Sequence, residues 1–184
     1  MQFPVVDYRS TRAAEDFCTS LAQTGFGVLA NHPLEASLVE GIYAEWQEFF
    51  ASDAKHRVAF DPVRYDGYFS PQVSETAKGH TQRDLKEFFH IFPWGRYPAE
   101  VSDAARRYYL AGSRLAGELL GWVEAHSPPE VRARYSQPLP SMIEACEDTL
   151  LPLFLHPRRE IVLSDRYTVG SYFEERMREL KLNN

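Results

Sequence analysis

Residues 85–92, Leu-Lys-Glu-Phe-Phe-His-Ile-Phe, constrain the fold of this chain more than any other stretch. Their composition predicts a strand, bounded by Pro93. Side chains alternate across a strand, so Leu85, Glu87, Phe89 and Ile91 share one face, and Lys86, Phe88, His90 and Phe92 share the other. Aromatic side chains fall on both faces. A lone strand cannot bury them, and the rest of the chain must supply the layers that do.

Helical stripes supply those layers. Ser10 is placed to cap a helix carrying Ala14, Phe17 and Leu21, and Gly25 is placed to end it. Before it, Phe3–Val6 is a short apolar run containing Pro4, readable as an edge strand. After it, Phe26–Ala30 reads as a buried strand. A second helix follows with Leu38, Ile42, Trp46 and Phe49 on one stripe. Residues 57–83 are polar and irregular, with the tyrosine-rich run Arg64-Tyr65-Asp66-Gly67-Tyr68. From Ser102 a long helix carries Tyr108, Ala111, Leu115, Leu119 and Trp122, until Ser127-Pro128-Pro129 breaks it and starts a short helix near Glu130. Met142–Leu151 fits either helix or strand, and Pro152–Leu155 is short and apolar. Thr168 is placed to cap a last helix with Phe173, Met177 and Leu180 inward and Glu174 spaced to pair with Arg178. The expectation is an α+β chain, helix-dominated, with a few short strands.

Charge and cysteine content narrow the function classes. The net charge is -6, which disfavours general affinity for nucleic acid, since that needs a basic face. The arginine clusters Arg106-Arg107, Arg132 with Arg134, and Arg158-Arg159 read as solvated faces. Cys18 and Cys146 form no metal-binding pair spacing, and a reducing, cytoplasmic setting fits two lone thiols. The N-terminus lacks the basic and apolar regions of a signal peptide, and no apolar run approaches a membrane span.

The catalytic constellations give a negative result. A mononuclear iron oxygenase holds its metal with two histidines and a carboxylate on one face. On a strand this requires His-x-Asp or His-x-Glu. Two positions after His32, His56, His80, His90, His126 and His156 stand Leu34, Val58, Gln82, Phe92, Pro128 and Arg158, none of them acidic. Glu87-x-x-His90 is half of a di-iron helix motif, without a second copy and in a segment with strand character. Arg134-Tyr135-Ser136 has an Arg-x-Ser form suited to a carboxylate, but it follows a proline-started turn and precedes Pro138, and it reads as a surface arginine. No Gly-rich phosphate loop or nucleophile elbow occurs. No catalytic or metal residue is assigned.

Read in order, these segments resemble the isopenicillin N synthase-like family of non-haem iron(II)/2-oxoglutarate-dependent oxygenases. Pro4-Val5-Val6-Asp7, Gly25-Phe26-Gly27-Val28 with Asn31-His32, Phe49-Phe50, Gly67-Tyr68 and Asp84–His90 resemble its N-terminal region. Pro138–Ile143 and Asp148-Thr149-Leu150-Leu151 continue the match. Pro152–Arg158, Val162–Thr168, Tyr172, Glu175-Arg176 and Leu180 resemble its C-terminal segment. In that family a double-stranded β-helix lies between the two parts and carries the iron and 2-oxoglutarate sites. Here Leu151 runs straight into Pro152, so the resemblance implies residues 1–151 and 152–184 joined across an internal deletion, with no complete double-stranded β-helix.

Three readings follow. The chain derives from an oxidoreductase and is catalytically incompetent, needing no cofactor of its own. Or it is a remnant that homo-oligomerises or binds a protein through apolar faces its lost barrel once covered. Or the intact protein retains the barrel and is an oxygenase acting on a small molecule with iron(II), oxygen and 2-oxoglutarate. In that frame Tyr65, Tyr68, Lys86 and Phe88 are the residues expected to line a substrate cavity.

Overall fold

The computed structural model describes residues 3–73, 86–92, 94–135, 137–141, 143–148, 153–157 and 159–179. The junction residues 149–152, Leu85 of the expected strand and Leu180 of the expected inward stripe lie outside them. The chain divides into two compact units, residues 1–35 with 110–143, and residues 36–109 with 144–184.

The first unit is a β-α-β arrangement closed by part of a long helix. Strand β1 (Val5–Asp7) pairs in parallel with β2 (Val28–Ala30), with Val5 opposite Val28. Helix α1 (Ala13–Thr24) connects them. Ser10 does not cap α1. The helix starts at Ala13, and the Ser10 hydroxyl instead accepts the Arg12 N–H within the preceding turn, at 3.1 Å. Gly25 does end α1. It adopts φ 78° and donates its N–H to the Leu21 carbonyl at 2.9 Å, a left-handed conformation that glycine enters without a Cβ penalty. Gly27 carries β2 past the face of Phe17, whose ring fills the space a Cβ would occupy. Val6, Ala13 and Phe17 form the core here, with Leu29, Leu119 and Trp122 packed on it. Phe26–Ala30 is not the buried strand expected. Only Val28–Ala30 is strand, Phe26 is 58% exposed and Val28 is 38% exposed, because a sheet of two strands has a helix on one face only.

The second unit stacks helix α2 (Ala36–Ala51) on a sheet. The expected stripe holds, with Ile42, Trp46 and Phe49 buried and Leu38 packed alongside. Strand β3 (Gly67–Phe69) lies inside the stretch expected to be irregular and pairs antiparallel with β4 (Phe88–Ile91). Tyr68 sits opposite Phe89, and Phe69 opposite Phe88. The alternation in β4 is as the sequence dictates, Phe89 and Ile91 being buried on the helix side. Trp46 is the hub of this core, with the rings of Phe49 and Phe89 each 5.2 Å away. The first turns of helix α3 (Ala104–His126) add Ala104, Ala105 and Tyr108. A short helix α4 (Pro129–Arg132), started by proline as expected, follows in the first unit.

Within Met142–Leu151 the described residues form strand β5 (Ile143–Asp148), whose Asp148 and Glu147 pair with His90 and Ile91. With β6 (Leu153–Pro157) the sheet order is β3-β4-β5-β6, open rather than closed into a barrel. Helix α5 (Val169–Glu179) ends the described chain. Thr168 caps it, its hydroxyl accepting the Ser171 N–H at 3.2 Å while Ser171 Oγ accepts the Thr168 N–H at 3.0 Å. Two details differ from expectation. Phe173 is 44% exposed, not inward. Glu174 pairs with Arg159 rather than Arg178, whose Nε donates to the Glu174 backbone carbonyl instead. Arg159 comes from outside the helix, which helical spacing alone cannot anticipate.

One buried charge fixes the entry into β3. Asp66 is fully buried. Its carboxylate accepts Arg96 Nε at 2.9 Å on one oxygen and the Arg96 backbone N–H at 2.6 Å on the other. The guanidinium also donates to the carbonyls of Ala59, at 2.7 Å, and Asp66, at 3.1 Å. Tyr65, next to it, is held at φ 58°, and Gly67 follows at φ 101°. Burial raises the Asp66 carboxyl, but the hydrogen bonds and charge of Arg96, with Arg64 nearby, outweigh it and hold the group below the usual aspartate range. A depressed carboxyl stabilises the fold above its unfolded value, about 3.9, and that contribution is lost as pH falls through the lower folded value. Arg96→Met should therefore destabilise the chain by about 3 kcal/mol near neutral pH, the low end for a broken buried pair because Arg96 itself is 31% exposed. Urea unfolding at a series of pH values should show that gap narrowing as pH falls, first as the stranded Asp66, raised by burial once Arg96 is gone, takes up a proton, and closing as pH drops through the lowered wild-type value. A gap independent of pH would contradict the clamp.

Candidate functional site

Strand β4 presents two chemically different faces. On the helix side Tyr68, 3% exposed, donates its hydroxyl to the Glu87 carboxylate. Lys55 Nζ donates to the same Glu87 oxygen at 2.9 Å and to the Phe50 carbonyl at 2.7 Å, and lies over the Tyr68 ring at 5.3 Å. The Glu87 hydrogen bond keeps the Lys55 ammonium above its ordinary range. Burial, and then the adjacent carboxylate, pushes the Tyr68 phenol up. Burial pushes Glu87 up, but the Tyr68 and Lys55 hydrogen bonds and the Lys55 charge outweigh it and hold Glu87 down. Each group is thus locked in its usual ionisation state. This network ties the turn Asp53–Val58 to the sheet and has no member poised for proton transfer near neutrality.

The opposite face is aromatic. The rings of Phe69 and Phe88 stack at 4.5 Å with 12° between planes. His90 stands 5.0 Å from Phe88 and 5.7 Å from Phe92, and Phe92 stacks on Trp94 at 5.1 Å and 16°. Phe60 covers Phe69 at 4.2 Å. Phe88, His90 and Phe92 are half-buried and Trp94 is 65% exposed, so the strip is open toward one end. Lys86 Nζ lies over the Phe88 ring at 5.2 Å, and the Arg64 guanidinium donates to the Trp94 carbonyl at 3.4 Å.

The expected cavity residues therefore do not converge. Lys86 and Phe88 stand together at one end of the strip. Tyr65 lies in the loop held by Asp66, its ring edge-on to Phe60 at 5.8 Å. Tyr68 points away from all three, into the helix-side core. Sequence reasoning also missed Phe60, Phe69 and Trp94 as members of this surface. Phe69 was hidden because β3 was not recognised, and with it the parity that sends Tyr68 and Phe69 to opposite faces.

Among the described residues the donor set does not fit iron. Among the described residues no group of three or more His, Cys, Asp or Glu side chains is arranged to hold a metal ion. His90 is set among Phe69, Phe88 and Phe92 and has the Tyr65 carbonyl 3.4 Å from Nδ1. Arg134 is exposed just past helix α4. Among the described residues no helix is long and apolar enough to cross a membrane.

Comparison with known proteins supplies the family. Residues 3–109 match the model of the non-haem dioxygenase N-terminal region, described as that of morphine synthesis. A solved structure, a putative oxygenase from Shewanella oneidensis, is 32% identical, with a TM-score of 0.80 and 100% of each chain covered. No curated protein matches. The matched region contains α1, α2, β3 and β4, the elements that build both units' cores and the aromatic strip. The chain belongs to the non-haem dioxygenase family.

Proposed function

We propose that this chain keeps the substrate-side wall of a non-haem oxygenase of the isopenicillin N synthase type and lacks its reaction centre. On this reading residues 1–151 and 152–184 are the two ends of the family fold, joined without the barrel between them. The wall is the aromatic face of β4, with Phe88 and Lys86 beside a small-molecule substrate, Tyr65 in the adjoining loop and Tyr68 supporting the strand from behind. The observation that carries the reading is the donor set. No histidine in the sequence has an acidic residue two positions on, and the described residues gather no group able to hold a metal. An iron(II)/2-oxoglutarate enzyme needs both a facial triad and an arginine fork for the co-substrate. The 184-residue chain should accordingly release no succinate from 2-oxoglutarate under air with added iron(II), and should show no saturable 2-oxoglutarate binding by calorimetry. Tight binding with turnover to succinate would sink the proposal.

A specific observation favours a second reading, an interaction module. On the outer face of β1–β2, Phe3, Val5, Phe26 and Val28 are exposed together, Val5 at 66%, with the Phe3 and Phe26 rings 4.9 Å apart. Adjacent apolar side chains on an uncovered sheet favour association. Sedimentation over a concentration series should then reveal a homodimer that Val5→Lys abolishes. A compact monomer at every concentration would rule this reading out.

A further inference from the structure

We propose that the free edge of β1 and helix α1 form a groove that takes an extended peptide of a partner protein as an added antiparallel strand, its apolar side chains outward and its basic side chains toward α1. The inference goes beyond both readings above, since it needs neither a reaction centre nor self-association. Its first support is the shape of the cavity beside β1. Pro4, Val5, Val6 and Asp7 line one cavity of about 370 Å³. Consecutive strand residues point their side chains to opposite faces, so a run of them can border one cavity only along the strand's edge. Across from them stand Asp16, Thr19, Ser20 and Gln23, spaced as one stripe of α1. The cavity is therefore a trough with a strand edge for one wall and a helix for the other.

The main chain gives the second support. Among the described residues β1 has one strand neighbour, β2. The Tyr8 N–H donates to the Ala30 carbonyl at 2.9 Å. Alternate residues of a parallel strand bond the same neighbour, so Val6 and Pro4 also face β2. The N–H groups of Val5 and Asp7, and the Val5 carbonyl, then face the groove. The Asp7 carbonyl accepts the Ser10 N–H at 3.0 Å, which fits that parity and closes the groove at the turn. An outward-facing proline is one device that protects an exposed edge. The missing N–H of Pro4 falls on the β2 side and leaves the groove open.

Charge and exposure set the kind of peptide. The charged residues lining the groove are Asp7 and Asp16. Asp7 is held by the Asn31 amide and the Arg9 backbone N–H, with the Arg9 charge a smaller influence. Arg12 pairs with Asp16 at 3.4 Å and with Glu15 at 3.3 Å. Asp7, Glu15 and Asp16 against Arg9 and Arg12 leave this surface acidic. A basic side chain facing α1 is drawn in and an acidic one is repelled. On the outer face an added strand lies beside Phe3 and Val5, 39% and 66% exposed, which favours apolar side chains there. Main-chain pairing supplies affinity in this mode of recognition, and alternate side chains supply selectivity.

The test uses the full 184-residue chain and three fluorescein-labelled peptides, read by anisotropy. The first is Val-Lys-Val-Lys-Val. The second is the same peptide N-methylated at its central valine, and the third is Val-Glu-Val-Glu-Val. In an antiparallel hydrogen-bonded pair, the residue opposite Val5 exchanges both main-chain bonds with it and shares its outward face. The first peptide therefore sets valines outward and lysines toward α1, and it should bind saturably. N-methylation removes a main-chain donor at unchanged charge and should weaken binding about tenfold. The glutamate peptide should bind about fivefold more weakly, the upper end for an exposed ion pair. Asp16→Lys should weaken the lysine peptide about fivefold and strengthen the glutamate peptide, a reversal that damage to the fold does not produce. No saturable binding of the lysine peptide, equal binding after N-methylation, or equal binding of the lysine and glutamate peptides would each overturn the proposal. A dimer seen by sedimentation that the lysine peptide dissociates would assign the groove to a second copy of the chain and overturn it as well.

Discussion

Strand β4 carries large side chains on both faces, and the second unit is organised by the unequal way those faces are covered. On one side Phe89 and Ile91 are sealed by Trp46 and Phe49 of helix α2. Burial of two or three aromatic rings is worth several kcal/mol, at about 25 cal/mol per Å² of apolar surface, enough to decide which way the strand turns. Once Phe89 faces the helix, alternation sends Phe88, His90 and Phe92 the other way without further choice. The aromatic strip is thus a consequence of the core, not an independent feature. Asp66 and Arg96 add a second constraint, because a carboxylate removed from water tolerates only an arrangement in which its hydrogen bonds are complete. That arrangement holds Tyr65 and Gly67 in left-handed conformations and sets the register in which β3 meets β4.

Much of this was legible in the residues and some was not, for identifiable reasons. The stripe of α2 and the alternation of β4 are local periodicities, and both appear as read. Gly25 as a helix stop and Thr168 as a helix start are local too, because each needs only its own turn. Ser10 shows the limit of that logic. The right residue type stands near the helix start, but its hydroxyl serves the turn before. The Asp66–Arg96 pair joins residues thirty apart with no pattern between them, and Glu174 had two arginines to choose from, of which tertiary structure selected the non-local one. Tyr68 is the instructive case. The family resemblance groups it with Tyr65, Lys86 and Phe88 at the border of a substrate cavity. The three-residue strand β3, too short to recognise, sends it to the opposite face.

Family membership and chemistry are carried by different parts of a non-haem oxygenase, and on the reading proposed above this chain keeps the first without the second. What it shares with the family model is residues 3–109, which hold α1, α2 and the short antiparallel pair β3–β4, features that give a fold and a surface. Catalysis in such enzymes depends on a few ligands held by barrel strands, and a sequence can keep all of the former without any of the latter. The open sheet β3-β4-β5-β6 gives the strip a floor on one side only. On the functional reading proposed here, binding and turnover are therefore distinct properties of this chain, the first supported by its aromatic face and the second by nothing in its donor set.

Iron itself gives the most direct measurement. Anaerobic equilibrium dialysis of the 184-residue chain against iron(II), with metal counted per chain, asks whether any set of its residues forms a ferrous site. The account predicts iron no higher in the protein compartment than in the buffer. Retention of iron(II) at one per chain, released by a chelator and restored on readdition, would contradict it.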